Sequence, residues 1–196
     1  FGNLLSLART IRLLERAGVA GVHLEDLIFA KRCGHRPNKR LVTIETMQSR
    51  LKAALDARHS QDFLIIARTD SFANEGLFAS IERAQHYQAV GTDIIFPEAL
   101  PTLADFTAFR RSLTIPILAN ATEFGKTPVF TREDYQQAGV EVILYPLTAF
   151  RAMSQAAFTV YQTLQSAGSQ QTLLSAMQTR ESLYDVLDYQ AYEDHT

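Results

Sequence analysis

The thiol of Cys33 is the most reactive side chain that the sequence offers, and it is the only cysteine among 196 residues. It lies in the run K-R-C-G-H-R at positions 31–36, where three basic side chains and one imidazole are its neighbours. Nearby positive charge favours a thiolate over a thiol, which makes a cysteine more reactive. A catalytic cysteine and a chance cysteine in a surface loop both fit this local composition.

Polar residues also follow several short apolar runs that predict β-strands. The runs cover residues 19–25, 63–68, 93–98, 115–120 and 140–145. Each of them ends in polar side chains, which are Glu25, Arg68, Glu98, Asn120 with Thr122, and Tyr145. A guanidinium at a buried strand end needs an anionic partner, so Arg68 could bind a substrate carboxylate or form a salt bridge with Glu98.

Helical patterns fill the intervals between these runs. The predicted helices cover residues 4–17, 44–58, 77–90, 103–112, 132–138 and 148–167. Strands that alternate with helices predict βαβ units and a parallel sheet, and therefore an α/β fold. Polar residues at the carboxyl end of every strand favour a (β/α)8 barrel of the TIM type, in which those ends form one active-site mouth. An open doubly wound sheet would concentrate them at one switch point, and no G-x-G-x-x-G motif follows any strand.

The predicted barrel is incomplete in this sequence. Five strands are too few, because a closed barrel of this type has eight strands and at least about 200 residues. We therefore expect three further strand–helix units to precede Phe1. No linker rich in proline, glycine or serine divides the chain, so residues 1–196 are predicted to form a single domain. That domain would comprise the last five βα units of a barrel and a helical tail.

Composition and charge argue against several classes of partner. The formal charge of −2 provides no strong attraction to nucleic acid or to an anionic membrane, and the hydrophobic content of 46% predicts a globular chain. No apolar run approaches the ~20 residues of a membrane-spanning helix. One cysteine cannot form an internal disulfide, which suits a reducing compartment. We expect a cytoplasmic protein that acts on a small molecule.

Seven segments together resemble the isocitrate lyase and phosphoenolpyruvate mutase superfamily. They are G-V-H-L-E-D at 21–26, A-K-R-C-G-H-R-P-N-K at 30–39, I-A-R-T-D at 66–70, F-P-E-A at 96–99, I-L-A-N-A-T-E-F-G at 117–125, L-Y-P-L-T-A-F-R-A-M at 144–153 and M-Q-T-R at 177–180. The K-R-C-G-H block at 31–35 resembles the lyases of this superfamily in particular. The resemblance extends from Phe1 to about Glu193.

The resemblance implies a lyase that cleaves a C–C bond of (2S,3R)-2-methylisocitrate to give pyruvate and succinate, a step of the methylcitrate cycle in propionate catabolism. It also implies Mg²⁺ or Mn²⁺, held mainly by aspartates of a D-x-D-T-G-F-G motif whose last two letters match Phe1 and Gly2. A homotetramer that swaps its last barrel helix between subunits is implied as well. The swapped region would be residues 149–167 and the tail to Tyr192.

Roles follow from the same resemblance for the residues that match the family's motifs. Cys33 would be the catalytic acid/base, with a covalent nucleophile as the alternative, and His35 and Arg68 would be the other catalytic residues. Glu25 would lie near the metal and contact it through water. The implied substrate-binding residues are Cys33, Gly34, Arg68, Glu98, Asn120, Ala121, Thr122, Arg151 and Arg180.

Several alternatives stay open beside these roles. Without the resemblance, His35 is equally well interpreted as a structural histidine, and Arg151 and Arg180 as ordinary helix-surface arginines. Isocitrate cleavage is the nearest rival activity, although isocitrate lyases usually carry long insertions. Members that process phosphonates or oxaloacetate generally alter the cysteine motif. A catalytically silent fragment is the remaining alternative, because the metal-binding aspartates lie outside this sequence.

Overall fold

The computed structural model describes residues 3–29, 31 and 38–195. The predicted site residues Cys33, Gly34 and His35 lie outside the described residues. The chain divides into two compact units, Phe1–Thr148 and Ala149–Thr196. Within the described residues, the first unit carries the strands and the second is helical. The single domain that we predict for residues 1–196 stays a prediction.

Helices and strands alternate through the first unit, as the sequence predicts. The elements are α1 Leu4–Arg16, β1 Gly21–Glu25, α2 Ile44–Ala57, β2 Leu64–Thr69, α3 Phe72–Val90, β3 Ile94–Pro97, α4 Leu103–Ser112, β4 Leu118–Asn120, α5 Arg132–Gln137 and β5 Val142–Leu144. The helix α6 Thr148–Ala167 follows, and the second unit continues with a 3₁₀-helix Gln171–Ala176, α7 Arg180–Leu187 and α8 Tyr189–Glu193.

The strands run parallel and lie in chain order. β1, β2 and β3 form one sheet, and β4 pairs with β5. A parallel bridge between Ile95 and Ile117 connects β3 to the residues that lead into β4. In the register of β1 and β2, Glu25 is opposite Arg68, and Arg68 is opposite Phe96 of β3. The carboxyl ends therefore align, which confirms the α/β fold with parallel strands and brings the polar strand ends to one edge.

Apolar side chains hold the helices against one side of this sheet. Met47 and Leu51 of α2 are fully buried, together with Ile65 and Ala67 of β2. Thr43 caps the start of α2, because its Oγ1 accepts a hydrogen bond from the backbone N–H of Thr46 at 3.2 Å. This core fixes the strand ends that carry the polar side chains.

The third helix begins earlier than the sequence predicts. It starts at Phe72 instead of Leu77, because Ser71 O accepts hydrogen bonds from the N–H groups of Asn74 and Glu75 and forms a first turn. Gly76 then has φ 80 and ψ −178, which kinks the helix before its long regular part. Only glycine adopts such a backbone conformation without strain.

The second unit consists of helices with extensive exposed apolar surface. None of the residues of α6 is buried in the chain, although it carries Phe150, Met153 and Tyr161. The rings of Tyr184 and Tyr189 stack with centroids 4.3 Å apart. Across both units, the described residues contain no helix of the length and apolarity that crossing a bilayer requires.

Candidate active site

Arg68, at the carboxyl end of β2, is the centre of a group of carboxylates. Its Nε and Nη2 donate to the two carboxylate oxygens of Asp70, at 2.9 and 3.1 Å. Its Nη1 lies 3.0 Å from Glu98 Oε2 and 3.9 Å from Glu25 Oε1. The guanidinium carbon also lies 4.9 Å from the centroid of the Phe96 ring. We call Arg68 with Glu25, Asp70 and Glu98 the Arg68 cluster.

Of the two interpretations of Arg68, the structure shows the salt bridge, and binding of a substrate carboxylate stays a prediction. The salt bridge predicted between Arg68 and Glu98 is present, and the strand-end residue Glu25 joins the same cluster. The bidentate partner Asp70 comes from the same I-A-R-T-D segment as Arg68, two residues along the chain. These contacts hold the planar guanidinium in one orientation, and a group of this shape can bind a carboxylate through two parallel hydrogen bonds.

Two lysines add positive charge to the Arg68 cluster. Lys31 Nζ donates to Glu25 Oε1 at 2.6 Å, and His23 Nε2 lies 3.5 Å from the same oxygen. Lys39 Nζ lies 3.6 Å from Asp70 Oδ1, and the Lys39 side chain is only 1% exposed. The sequence does not indicate Lys39 as a site residue, because its position in a polar loop predicts exposure to solvent.

These contacts shift the protonation equilibria of the cluster. Burial raises the pKa of Glu25, but hydrogen bonds from His23 and Lys31 and the charge of Arg68 outweigh it and lower that pKa to about 2. Burial lowers the pKa of Lys39, although the negative charges of Asp70 and Glu98 act to raise it. Burial also acts to lower the pKa of Arg68, yet its carboxylate partners raise it overall. Glu25 and Arg68 are therefore both charged at neutral pH.

Two buried oxygen atoms of the site have no hydrogen-bond partner in the described part of the chain. They are Glu25 Oε2 and Asn120 Oδ1. Asn120 Nδ2 is 3.3 Å from Glu98 Oε1, so the amide joins β4 to the cluster. An unpaired carboxylate oxygen with a low pKa suits a water molecule bound to a hard cation. The described residues contain no group of three or more acidic, histidine or cysteine side chains that could hold the ion by themselves.

The other two predicted residues after β4 lie close to this amide in the chain. Thr122 is buried, and Ala121 is partly buried against the main apolar core. The backbone N–H of Ala121 donates to Leu144 O at 2.8 Å, which ties the end of β4 to β5. Substrate binding by Ala121 and Thr122 stays a prediction.

A buried network behind the Arg68 cluster was not predicted from the sequence. Asp26 Oδ1 accepts from the backbone N–H of Asp70 at 2.9 Å. Asp26 Oδ2 accepts from Thr69 Oγ1 at 2.7 Å and from the Tyr87 hydroxyl at 3.0 Å. Burial raises the pKa of Asp26, although these donors oppose the shift. Tyr87 is 61 positions away from Asp26 in the sequence, so no local pattern predicts this contact.

The residues that flank the cysteine motif are paired with each other. Leu27 and Leu41 form an antiparallel bridge. Ile28 N donates to Arg40 O at 3.0 Å, and Val42 N donates to Asp26 O at 2.9 Å. Residues 26–28, directly after β1, therefore lie beside residues 40–42. The predicted roles of Cys33, Gly34 and His35 lie between these flanks and outside the described residues.

A cavity of about 630 Å³ opens beside β1, between α1 and α2. Glu25, Lys31 and Arg50 lie on its wall, together with apolar residues that include Leu7 and Leu27. Arg50 Nη1 donates to Leu27 O at 2.9 Å, which holds the residues just after β1 in place. The cavity therefore shares Glu25 and Lys31 with the charged site.

The two remaining predicted residues belong to the second unit. Arg151 lies in α6, and Arg180 is the first residue of α7, whose N-cap is Thr179. Their contact with the succinate-like end of a substrate stays a prediction.

Known proteins similar to this chain agree with the motifs. The 2-methylisocitrate lyase of Shewanella oneidensis is 52% identical over 194 residues, which cover 99% of this chain and 66% of that protein. A solved structure of 2,3-dimethylmalate lyase matches with a TM-score of 0.89 at 30% identity, over 100% of this chain and 66% of that one. Phosphonopyruvate hydrolase, solved with oxalate and Mg²⁺, matches with a TM-score of 0.84 at 25% identity, over 99% and 68%.

The match thus spans 66% of the length of the Shewanella relative. Residues 1–165 also match the sequence family described as phosphoenolpyruvate phosphomutase. The superfamily that the seven segments resemble is the one named for the 2,3-dimethylmalate lyase structure. The parallel strands, the charged strand ends and these matches together show that the chain belongs to the phosphoenolpyruvate phosphomutase family.

Proposed function

We propose that the protein containing this chain is a lyase that cleaves (2S,3R)-2-methylisocitrate to pyruvate and succinate. The observation that carries the proposal is the Arg68 cluster, in which an oriented guanidinium lies among three carboxylates at the strand ends. Identity of 52% with a protein named 2-methylisocitrate lyase supports this choice of substrate. The other roles in the reaction are assigned to residues that match the motifs of the family.

Cleavage requires a base, a carboxylate site and an acid. A base removes the proton of the substrate hydroxyl, the C–C bond breaks, and the new carbonyl becomes that of pyruvate. The electron pair passes to the carbon next to a carboxylate, which becomes succinate when that carbon accepts a proton. Arg68 holds the pyruvate-like carboxylate, and Cys33 donates the final proton. Gly34 and His35 would contact the substrate beside the thiol.

A divalent cation, Mg²⁺ or Mn²⁺, completes the proposed site. Glu25 would hold it through water, because Oε2 is buried, ionised and without a partner among the described residues. The cation supplies positive charge that offsets the carboxylates and developing oxyanion of the substrate. Glu98, Asn120, Ala121 and Thr122 would line the other side of the substrate. Arg151 and Arg180 would meet its succinate-like end.

The same proposal covers the larger assembly. We propose that the five parallel strands belong to a closed (β/α)8 barrel within a single domain, and that the protein forms a homotetramer with swapped C-terminal helices. Among the described strands, β1 and β5 each pair on one side only, and in the proposed barrel further strands would pair with their other sides. Action in the cytoplasm on a small tricarboxylate, with no nucleic acid or membrane partner, is part of this proposal.

Turnover by the complete protein tests the substrate. With Mg²⁺ present, methylisocitrate should give equal amounts of pyruvate and succinate, and isocitrate should be cleaved more slowly. A chelator should stop the reaction, and added Mg²⁺ should restore it. Faster cleavage of isocitrate, or hydrolysis of oxaloacetate without cleavage of methylisocitrate, would show that the assigned substrate is wrong.

A further inference from the structure

Asp26 connects three parts of the fold behind the candidate site. Its carboxylate accepts the backbone N–H of Asp70 and the hydroxyls of Thr69 and Tyr87, at 2.7 to 3.0 Å. Its own backbone N–H donates to Arg68 O at 3.2 Å, and its carbonyl accepts from Val42 N at 2.9 Å. Every polar group of Asp26 is therefore engaged, and the residue is completely buried.

The network continues into α3 and ends at a partly buried ion pair between Arg83 and Glu75. Arg83 Nη1 lies 3.8 Å from Asp26 Oδ2 and donates to the Tyr87 hydroxyl at 3.3 Å. The same guanidinium forms two hydrogen bonds with Glu75, at 2.6 and 2.7 Å. The kinked helix α3 is thereby joined through Asp26 to the ends of β1 and β2.

We propose that Asp26 is a positioning residue for Arg68. Asp26 fixes the backbone of Asp70, and the Asp70 carboxylate in turn fixes the guanidinium through two hydrogen bonds. Arg68 reaches the substrate, whereas Asp26 has no exposed atom that could do so. The benefit to substrate binding rests on the proposed function, but the orientation of Arg68 does not.

Burial alone does not explain this arrangement. A carboxylate taken out of water is costly unless its oxygens are satisfied, so a purely structural position is better served by an apolar side chain. A carboxylate can hold a backbone N–H and two hydroxyls in one geometry, which packing alone cannot do. Asp26 is therefore suited to fixing the direction of the chain where β2 ends.

Asp26→Asn is the main test, and Asp93→Asn is its matched control. Asp93 also accepts a backbone N–H of β2, from Ile65 at 2.7 Å, and it pairs with Arg58 at 2.6 Å. It lies at the amino end of β3, whereas Asp26 lies at the carboxyl end of β1. Both variants should lower the melting temperature, but only Asp26→Asn should disturb Arg68.

The decisive measurement is hydrogen exchange of the Arg68 Nε–H in the complete protein without substrate, assigned by NMR from its loss in Arg68→Lys. Asp26→Asn should speed this exchange by about fivefold or more, because a neutral amide accepts the backbone N–H of Asp70 more weakly than a carboxylate does. Asp93→Asn should leave it unchanged. Well below the melting temperature, kcat/KM of Asp26→Asn should fall about 10- to 100-fold, as expected for a small displacement of a binding group.

Tyr87→Phe covers the case in which Asp26→Asn does not fold. It removes one hydroxyl from the carboxylate and keeps the charge, so it should also speed the exchange of Arg68, by a smaller factor. Unchanged exchange in every folded variant would overturn the positioning role. If the exchange changes as expected but the protein does not cleave methylisocitrate, the inference stands and the proposed function fails.

Discussion

Arg68 illustrates why the site needs more positive charge than its own strands supply. Its guanidinium is already shared between Asp70 and Glu98, and Lys31 and Lys39 are committed to carboxylates of the same cluster. The proposed substrate, with three carboxylates, would therefore enter a region whose charges are largely matched. Its binding demands further cations, which is the physical reason for proposing a divalent metal and the two arginines of the second unit.

Replacement of Arg68 by lysine tests the need for a planar group. A lysine keeps the charge but cannot donate to both oxygens of Asp70 and to Glu98 in one plane. We expect kcat/KM for methylisocitrate to fall about 10- to 100-fold, as for the loss of one charged hydrogen bond. Steady-state kinetics of the complete protein measure the effect.

Arg58→Lys is the matched control for that substitution. Arg58 Nη1 pairs with Asp93 at 2.6 Å, so it too is a carboxylate-bonded arginine, at the opposite end of the strands. Its replacement should lower stability and leave kcat/KM unchanged. Equal losses of kcat/KM in the two variants would mean that Arg68 acts through the fold and does not bind the substrate.

At the level of elements, the sequence predicts the centres of helices and strands better than their ends. The predicted strand 63–68 is observed as Leu64–Thr69, because an apolar run marks a buried strand directly. The predicted strand 115–120 is observed as Leu118–Asn120. Pro116 lacks a backbone N–H, and its region contributes only one bridge to β3 before regular pairing with β5 begins.

The site residues, too, are predictable where the local sequence marks them and unpredictable where they depend on contacts between distant segments. Glu25, Arg68, Glu98 and Asn120 are predictable, because each ends an apolar run and parallel strands bring such ends together. Lys39 and the contact of Asp26 with Tyr87 are not predictable, because they depend on how a loop and a helix pack onto the strands. Buried polar contacts between distant residues carry no periodic pattern in the sequence.

Gly139, the residue after the C-cap of α5, tests how tightly the helix ends are packed. Its φ is +83°, and an added Cβ would lie 2.5 Å from Arg110 Cγ. Arg110 cannot move freely, since it pairs with Glu141 at 2.9 Å and donates to Ile115 O at 2.7 Å. Gly18 has a similar φ of +81° with no atom near the added Cβ.

A comparison of alanine variants at the two glycines therefore distinguishes the cost of backbone strain from the cost of steric overlap. Gly18→Ala should lower the free energy of unfolding by about 1–2 kcal/mol, the cost of a left-handed alanine. Gly139→Ala should lower it by about 1–3 kcal/mol more, because Arg110 must be displaced. Urea denaturation of both variants measures the difference. Equal losses would show that Arg110 adjusts without cost.

Glu15 at the end of α1 makes one helix contact dependent on pH. Its carboxylate accepts the backbone N–H groups of His59 and Ser60, and these bonds lower its pKa below the usual 4.5. A lowered folded-state pKa contributes stability above the unfolded value, and this contribution is lost as the pH falls through the lowered pKa. Glu15→Gln should therefore reduce stability at pH 7 and have a smaller effect in acid.

Urea denaturation of both proteins at neutral pH and near pH 3 measures this dependence. Glu82→Gln, an exposed substitution on α3, corrects for the loss of a surface charge. The stability difference between the unsubstituted protein and Glu15→Gln should narrow as the pH falls. A difference that stays constant would mean that the two backbone bonds do not depend on the charge of Glu15.

At the scale of the whole molecule, α6 carries the strongest indication of an assembly. Phe150, Met153, Tyr161 and Leu164 recur at helical spacing, and Met153 and Tyr161 are 63% and 72% exposed in the chain. A stripe of this kind is normally covered in a soluble assembly. The proposed tetramer with swapped helices would cover it with a second copy of this chain.

Met153→Asp and Gln155→Asp test that assembly on opposite faces of the same helix, since residues two positions apart point in different directions. The charge at Met153 would be buried without a partner in the assembled state, so the tetramer should dissociate into smaller species. Gln155→Asp places the same charge on the polar face and should leave the tetramer intact. Sedimentation velocity of the complete protein gives the masses. A tetramer that survives Met153→Asp would show that this stripe is not part of the subunit contact.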